Sequence, residues 1–375
     1  MTPKPHRQSR AWGPRSTLLA LLFTLALPLS GALPDAPHVA AQEACPEPNN
    51  EFQQACELRT GTPAQGVLST DGDIDAYRVE ALDFHARVHL ELSGGRPDHR
   101  ISLVNWNGEV LASAVQAPAA QTSPIRLDHA VGPPGAYYVF VDAVTGLGEP
   151  SAPYRLSLSM EYPAGRTPRV LFASAFSAGD TTTACTSGRG PAPAACAGES
   201  GRFTIELGEG STEADPTSAW LWVGPEASDF TFTVDTRLIK DARNAALQID
   251  LRAQDYDHGY GVALVPREGL VVISKTVAGQ VTQLASASRP DITSPTGVNR
   301  LTVTAAGTAL HIGLNGQAVI GTTDSTFATG RVGFFAFTYD EPFAARIDNV
   351  LLTTPAMHPC PSPPDASGTF APCPL

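Results

Sequence analysis

Three aspartates, Asp71, Asp73 and Asp75, occupy alternate positions in the stretch STDGDIDAYRV. This spacing is typical of calcium loops, which offer the ion six to eight oxygen ligands. An EF-hand loop beginning at Asp71 would need glycine at its sixth position and glutamate at its twelfth, but Ala76 and Leu82 stand there. A structural aspartate turn leading into a strand is the alternative. We favour the turn and keep a calcium site as the second interpretation.

A second group of side chains combines acids with aromatic rings within nine residues: Arg252, Asp255, Tyr256, Asp257, His258 and Tyr260. Such a group could line a surface on which sugar rings stack. Asp255 and Asp257 are weak catalytic candidates, because retaining glycosidases need two carboxylates about 5 to 5.5 Å apart. Aspartate, histidine and glycine are also ordinary turn residues, so we favour a solvated hairpin loop here.

Trp220 and Trp222 are two residues apart, which places both rings on one face of a strand. They are candidates for a stacking platform that binds a ligand. Core packing is the more usual role, because β-sandwiches commonly bury tryptophan.

Signatures of other enzyme classes are missing from the sequence. Ser187-Gly188 lacks the strand-Gly-x-Ser-x-Gly-helix context of a hydrolase nucleophile, and no His-Glu-x-x-His motif is present. With 25 basic and 37 acidic residues the net charge is -12. A nucleic-acid partner is therefore not expected.

The amino terminus is typical of a secretory signal peptide. Basic residues precede an apolar run over residues 18–33, and Val39-Ala40-Ala41 offers a small-residue cleavage site. The run is short for a membrane span and no later segment is apolar enough for one. We predict a signal peptide over residues 1–41 and an extracellular protein without a membrane span.

Six cysteines lie beyond this cleavage site, and their even number in an exported chain predicts disulfides. Fifteen pairings are open to six cysteines, but the close spacing within couples favours the sequential pattern. We expect these pairs: Cys45 with Cys56, Cys185 with Cys196, and Cys360 with Cys373.

Alternating apolar and polar residues recur along most of the chain, and no window of twelve residues has a helical period. Asn107-Gly108 and Asn315-Gly316 suit tight hairpins, and we also expect a hairpin over residues 238–247. The prediction is an all-β protein with two β-sandwiches of jelly-roll type in tandem. Their limits are residues 45–162 and 170–354, with a linker over 163–169 and a proline-rich, disulfide-bearing tail over 355–375.

Residues 45–162 resemble the bacterial pre-peptidase C-terminal domain. The likeness rests on five short pieces in the right order: residues 47–52, 66–68, 72–77, 135–141 and 154–156. The resemblance implies a β-sandwich of secreted proteins that binds extracellular matrix, with calcium as the cofactor. It also implies calcium ligands at Glu47, Asn49, Asn50, Asp73 and Asp75. Asn50 departs from the family pattern, which commonly has aspartate there.

Residues 170–353 are similar to the concanavalin A-like lectin and glucanase sandwiches, especially their laminin-G-like and keto-disaccharide hydrolase branches. The most telling pieces are Gly330-Arg331-Val332-Gly333-Phe334 and residues 347–350. The Glu-x-Asp-x-x-Glu run of the glucanases is absent, because residues 250–255 contain no glutamate. We therefore expect a secreted, non-catalytic protein that binds an extracellular glycan or protein ligand. A divergent glycoside-acting enzyme and a structural protein of the cell envelope or matrix are the alternatives.

Overall fold

The computed structural model describes residues 45–69, 72–115, 124–144, 153–162, 167–174, 176, 186–187, 194–199, 202–208, 216–240, 242, 245–265, 268–289, 292, 297–339 and 341–354. The predicted signal peptide, the tail, Asp71 and three of the cysteines, Cys185, Cys360 and Cys373, lie outside these residues. So does most of the predicted linker, which leaves the domain limits a prediction.

Strands account for nearly all regular structure in the described residues, which confirms the predicted all-β class. A 3-10 turn, Phe52–Gln54, precedes the first strand. The strands of the first half are β1 (Cys56–Glu57), β2 (Ala64–Gly66), β3 (Ile74–Ala81), β4 (Arg87–Gly94), β5 (His99–Val104), β6 (Val110–Val115), β7 (Ile125–Ala130), β8 (Gly135–Ala143) and β9 (Tyr154–Glu161). Those of the second half are β10 (Val170–Ser174), β11 (Thr186–Ser187), β12 (Ala194–Glu199), β13 (Arg202–Leu207), β14 (Thr217–Ala227), β15 (Phe230–Lys240), β16 (Ala245–Asp255), β17 (His258–Val265), β18 (Leu270–Val277), β19 (Gln280–Ser288), β20 (Asn299–Ala306), β21 (Ala309–Leu314), β22 (Gln317–Thr323), β23 (Gly330–Thr338) and β24 (Phe343–Thr353).

The first sandwich consists of two sheets with the strand orders β1-β3-β8-β5-β6 and β2-β9-β4-β7. Every second residue of β4, namely Val88, Leu90 and Leu92, is buried in the core between them. Period-two burial of this kind is what the alternating sequence predicts. The disulfide between Cys45 and Cys56 ties the entering segment to this core, and it confirms the first predicted pair.

The second sandwich consists of an eight-stranded and a seven-stranded sheet. Their orders are β12-β13-β24-β15-β20-β21-β22, with β10 also paired to β24, and β11-β14-β23-β16-β17-β18-β19. A separate apolar core fills the space between the sheets and includes Phe232 of β15 and Phe334 of β23. Cys196 is disulfide-bonded, and its predicted partner lies outside the described residues.

Both predicted Asn-Gly hairpins are present. Asn315 and Gly316 adopt φ angles of 51° and 81° between the paired strands β21 and β22. Gly108, with φ 83°, turns the chain between β5 and β6. The hairpin predicted over residues 238–247 is wrong, because β15 and β16 belong to different sheets. The chain passes from one sheet to the other between these strands. Alternating apolar and polar residues in both strands are compatible with either connection, so the pattern does not distinguish a crossing from a hairpin.

Candidate functional site

The outer surface of the seven-stranded sheet carries two rows of residues that run across β14, β23 and β16. In one row Trp220 is opposite Phe335, which is opposite Gln248. In the other row Trp222 is opposite Gly333, which is opposite Asp250. The residues alternating with the two tryptophans point into the core: Ala219, Leu221 and Val223. Both indole rings therefore lie on the outer surface, and they are partly exposed.

Aromatic side chains are continuous along this surface. The ring centroids of Trp220 and Tyr256 are 4.2 Å apart, and those of Trp222 and Tyr256 are 5.8 Å apart. Phe335 stacks on Trp220 at 5.3 Å with an interplanar angle of 24°, and Phe337 follows at 5.5 Å from Phe335. These five rings are called the aromatic face below. Tyr256 is 49 % exposed although it contacts two tryptophans.

Gly333 lets the indole ring of Trp222 pack directly over the backbone of the neighbouring strand β23. A Cβ atom at Gly333 would lie 2.6 Å from Cε3 of Trp222 and 2.7 Å from the Leu221 carbonyl oxygen. Only glycine leaves room for the ring there. The aromatic face thus depends on glycine at position 333 as well as on the aromatic residues.

Asp250 is an ionisable group in this part of the sheet. It is partly buried, and it lies between Gly333 on one side and Gly261 on the other. Gln248 Nε2 donates a hydrogen bond of 2.6 Å to Asp250 Oδ1. Loss of hydration raises the pKa of Asp250 to about 7, against the lowering effect of that hydrogen bond.

The two weak catalytic candidates lie in the turn between β16 and β17. Asp255 Oδ1 accepts hydrogen bonds from the Asp257 amide and from His258 Nδ1, each 2.8 Å long. The bond with His258, before the others, lowers the pKa of Asp255. Both aspartates are exposed, so the geometry is that of a hydrogen-bonded turn. Its effect on the site is to hold Tyr256 over the tryptophans.

Arg252 and Tyr260 lie away from the aromatic face. The Arg252 side chain is 1 % exposed, and its guanidinium donates to the carbonyl oxygens of Ser228 and Gly307 at 2.7 and 2.8 Å. Tyr260 is 1 % exposed, and its hydroxyl donates to Asp324 Oδ1 at 2.7 Å. Both therefore stabilise loops at the edge of the sandwich. The other predicted ligand-binding residues lie close together: Trp220, Trp222 and Tyr256 are in contact, and His258 is in the adjoining turn.

The predicted calcium ligands are neighbours in the first sandwich. Burial, followed by the charges of Asp75 and Asp73, raises the pKa of Glu47. Burial also raises the pKa of Asp75, whose Oδ2 accepts a hydrogen bond from the Tyr154 hydroxyl. Asn49 is 1 % exposed, and its Oδ1 has no hydrogen-bond partner. Glu47, Asn49 and Asp75 thus offer oxygens to a cation.

Asp73 and Asn50 are engaged in the turn itself. Asp73 Oδ2 accepts from the amide and the hydroxyl of Ser69, at 2.5 and 2.8 Å. With its amide oriented as a donor, Asn50 Nδ2 lies 3.1 Å from Asp73 Oδ1. Within the described part of the chain, no group of three or more histidine, cysteine, aspartate or glutamate side chains has the arrangement of a metal site. The residues present fit a calcium site only in part, since calcium takes six to eight oxygens.

Residues 181–352, just under half of the chain, match the model of the 3-keto-alpha-glucoside-1,2-lyase-like domain family. Among solved structures, the carbohydrate-binding module CBM66 from Bacillus subtilis is 20% identical, with 45% of this chain and 95% of that one covered at a TM-score of 0.36. A galectin-like protein of unknown function from Bacillus subtilis is 11% identical, covering 51% and 99%, at 0.40. A putative glycosyl hydrolase from Parabacteroides distasonis is 11% identical, covering 43% and 83%, at 0.31. No curated protein matches the sequence.

Sequence reasoning missed Phe335, Phe337, Gln248 and Asp250. Phe335 and Phe337 are two residues apart in a strand that the sequence predicts, so their position on the same face of that strand could have been inferred. Their adjacency to Trp220 could not, because it depends on the pairing of β14 with β23, which are about a hundred residues apart in the chain.

Proposed function

We propose that this protein binds carbohydrate without turning it over, and that the aromatic face is its binding surface. The observation that carries the proposal is the continuous row of partly exposed rings centred on Tyr256, Trp220 and Trp222. Flat aromatic rings bury the apolar faces of sugar rings while the sugar hydroxyls stay hydrated. The match to a glucoside-acting family over the same sandwich supports a saccharide ligand.

A glycan array followed by titration of the bound glycans tests this proposal. We expect Trp220→Ala and Tyr256→Ala each to weaken binding about tenfold or more, which corresponds to about 1.4 kcal/mol. Tyr256→Phe is the matched control, because it keeps the ring and removes only the hydroxyl, and it should retain binding. Equal affinity of the wild type and both alanine variants would reject the aromatic face as the binding surface.

A glycoside-acting enzyme is the second candidate function. Two properties of Asp250 favour it. The pKa of this residue is close to the working pH of a general acid, and its side chain lies beside the aromatic face. Release of reducing ends from a polysaccharide panel tests it. Activity abolished by Asp250→Asn would assign the acid, whereas activity that survives both this variant and the double variant Asp255→Asn with Asp257→Asn would exclude all three carboxylates.

The proposal includes secretion of the protein from the cell. The basic and apolar amino terminus supports secretion, and so does the disulfide between Cys45 and Cys56. The described residues include no helix with the length and hydropathy of a membrane span. An envelope or matrix spacer, the third alternative, is distinguished by a failure to bind any glycan of the array.

Calcium binding by the pre-peptidase-like half is a separate proposal, supported by the buried, unpartnered Asn49 oxygen beside Glu47 and Asp75. Bound calcium would offset the repulsion between these two carboxylates and order the turn around them. We expect calcium to raise the melting temperature and Asp75→Asn to remove that effect. An unchanged melting temperature with and without chelator would leave the aspartate turn as a purely structural feature.

A further inference from the structure

The aromatic face continues beyond Phe337 to a sixth ring, that of Tyr339. The ring centroids of Phe337 and Tyr339 are 5.4 Å apart, and Tyr339 is partly exposed. Phe335 and Phe337 alternate on the outer side of β23, and Tyr339 continues this alternation directly after the strand ends. The six rings, called the ring row below, thus follow the direction of β23 from Trp222 and Tyr256 to Tyr339.

The ring row is too long for a single sugar. Gly333, which is opposite Trp222, and Tyr339 are six residues apart, and at a strand rise of about 3.4 Å per residue they span about 20 Å. Consecutive ring centroids from Tyr256 to Tyr339 are between 4.2 and 5.5 Å apart, so no gap interrupts the ring row. One pyranose ring covers only part of it, whereas a chain of sugars covers all of it.

The sheet beside the ring row has room for such a chain and polar groups to contact it. Ala246 of β16 is opposite Phe337, and Gly261 of β17 is on the far side of Asp250. These two small residues leave the sheet surface low next to the rings. The amide of Gln248 and the carboxyl group of Asp250, which are partly exposed, offer hydrogen bonds to sugar hydroxyls.

The charges along the ring row favour a neutral ligand. In the described parts of the three cross-strand rows that contain Trp222, Trp220 and Phe337 there is no lysine, arginine or histidine. Arg331 is opposite Ala253, outside these rows. Burial raises the pKa of Asp250 to about 7, so this carboxyl group is partly ionised at neutral pH. An acidic chain therefore finds no cation in these rows, and it approaches a protein with a net charge of -12.

We propose that the ring row binds an extended, neutral polysaccharide chain, several sugars at a time. This inference rests on the proposed function and names the class of its ligand. Equatorial linkages keep a glycan chain straight and place flat, apolar C–H surfaces along its length, and such surfaces stack on aromatic rings. Axial linkages coil the chain, so that it leaves a straight row of rings.

Titration of the full chain with cello- and xylo-oligosaccharides, from disaccharide to hexasaccharide, tests the inference. We expect the affinity to rise about tenfold or more over this range, because longer chains reach more rings. Malto-oligosaccharides, which have axial linkages, should gain much less from the same increase in length. Equal affinities for the disaccharide and the hexasaccharide, or an equal gain in the malto series, would overturn the inference and leave the proposed function intact.

Tyr339→Ala tests the far end of the ring row. It removes the ring without disturbing the strand, because Thr338 forms the last described pairs of β23. The hexasaccharide should bind about tenfold more weakly, whereas the disaccharide, held by Trp220 and Tyr256, should bind as before. Tyr339→Phe is the matched control, since it keeps the ring, and both probes should bind to it with wild-type affinity. An unchanged hexasaccharide affinity in Tyr339→Ala would overturn the inference.

The neutrality of the ligand has its own test, and the two proposals can fail separately. A hexasaccharide of glucuronic acid should bind at least about tenfold more weakly than the neutral hexasaccharides, and equal binding would overturn the inference. Binding of other glycans on the array, without binding of the cello and xylo series, would reject the extended chain alone. Binding of no glycan at all would reject the proposed function together with this inference.

Discussion

The guanidinium carbon of Arg300 lies 4.0 Å from the centroid of the Trp106 ring, so a side chain of the second sandwich rests on an aromatic ring of the first. The same guanidinium donates to the Ala136 carbonyl oxygen of β8 at 3.0 Å. Asp235 holds it from the other side. A cation with 0 % exposed side-chain area thereby joins the two sandwiches.

Removal of Arg300 should destabilise the protein severely. Arg300→Met leaves Asp235 buried without its cation, and loss of one partner of a buried pair typically costs about 3 to 5 kcal/mol. The free energy of unfolding from denaturant titration measures this. Arg126→Met is the control, since Arg126 forms an exposed pair with Glu91 and should change stability very little.

The second step of that experiment separates charge burial from packing. Asp235→Leu with Arg300→Met removes both charges, so the double variant should recover part of the stability lost in Arg300→Met alone. A double variant no more stable than the single one would show that the contacts of Arg300 with Trp106 and Ala136, and not its charge, hold the sandwiches together.

Asp250 should make stability fall as the pH rises. Its pKa is raised from the ordinary 3.8 to about 7 in the folded state, so the folded protein holds a proton that the unfolded chain has lost between these values. The stabilisation is complete below pH 4 and decreases by about 1.4 kcal/mol per pH unit up to pH 7. Asp250→Asn should therefore melt higher than the wild type at pH 8, and this difference should shrink towards pH 4. Parallel melting curves for the two proteins across this range would contradict the assignment.

The Cys45–Cys56 bridge closes a short loop, with a sequence separation of 11. In the chain-entropy account, a crosslink over a loop of this length stabilises the folded state by about 2 to 3 kcal/mol. Cys45→Ser with Cys56→Ser should lower the free energy of unfolding by that amount. The measurement needs non-reducing conditions. Addition of a reductant to the wild type should cause at least this loss, because it also reduces the bridge that contains Cys196.

Period-two alternation predicted the all-β class and most strands, and the Asn-Gly dipeptides predicted two hairpins, because these features depend on neighbours in the sequence. Trp220 and Trp222 were located on one face for the same reason. The sheet to which each strand belongs depends on pairing over long separations, so the crossing after β15 was mistaken for a hairpin. Arg252 is predicted on the open surface, but the structure turns it towards the Ser228 and Gly307 carbonyls. Its positive φ of 47° and the register shift in β16 cause this turn, and neither can be recognised from the alternating pattern.

Gly333 provides the sharpest test of how the aromatic face is built. In Gly333→Ala the new methyl group would meet the Trp222 ring and the Leu221 carbonyl oxygen at distances below 3.0 Å. The ring must lift from the sheet, because the backbone oxygen cannot move without breaking the β14–β23 pairing. We expect a loss of about 1 to 3 kcal/mol in stability from overpacking, together with weaker glycan binding, since the lifted Trp222 ring no longer aligns with Tyr256.

Gly132→Ala is the matched control for this substitution. The nearest atom to a Cβ at Gly132 is the Tyr137 hydroxyl oxygen at 4.0 Å, so the added methyl group fits without displacement. Denaturant titration and glycan titration on both variants separate the two effects. If Gly333→Ala were destabilised yet bound glycan with wild-type affinity, the position of Trp222 would be irrelevant to recognition, and binding would rest on Trp220 and Tyr256 alone.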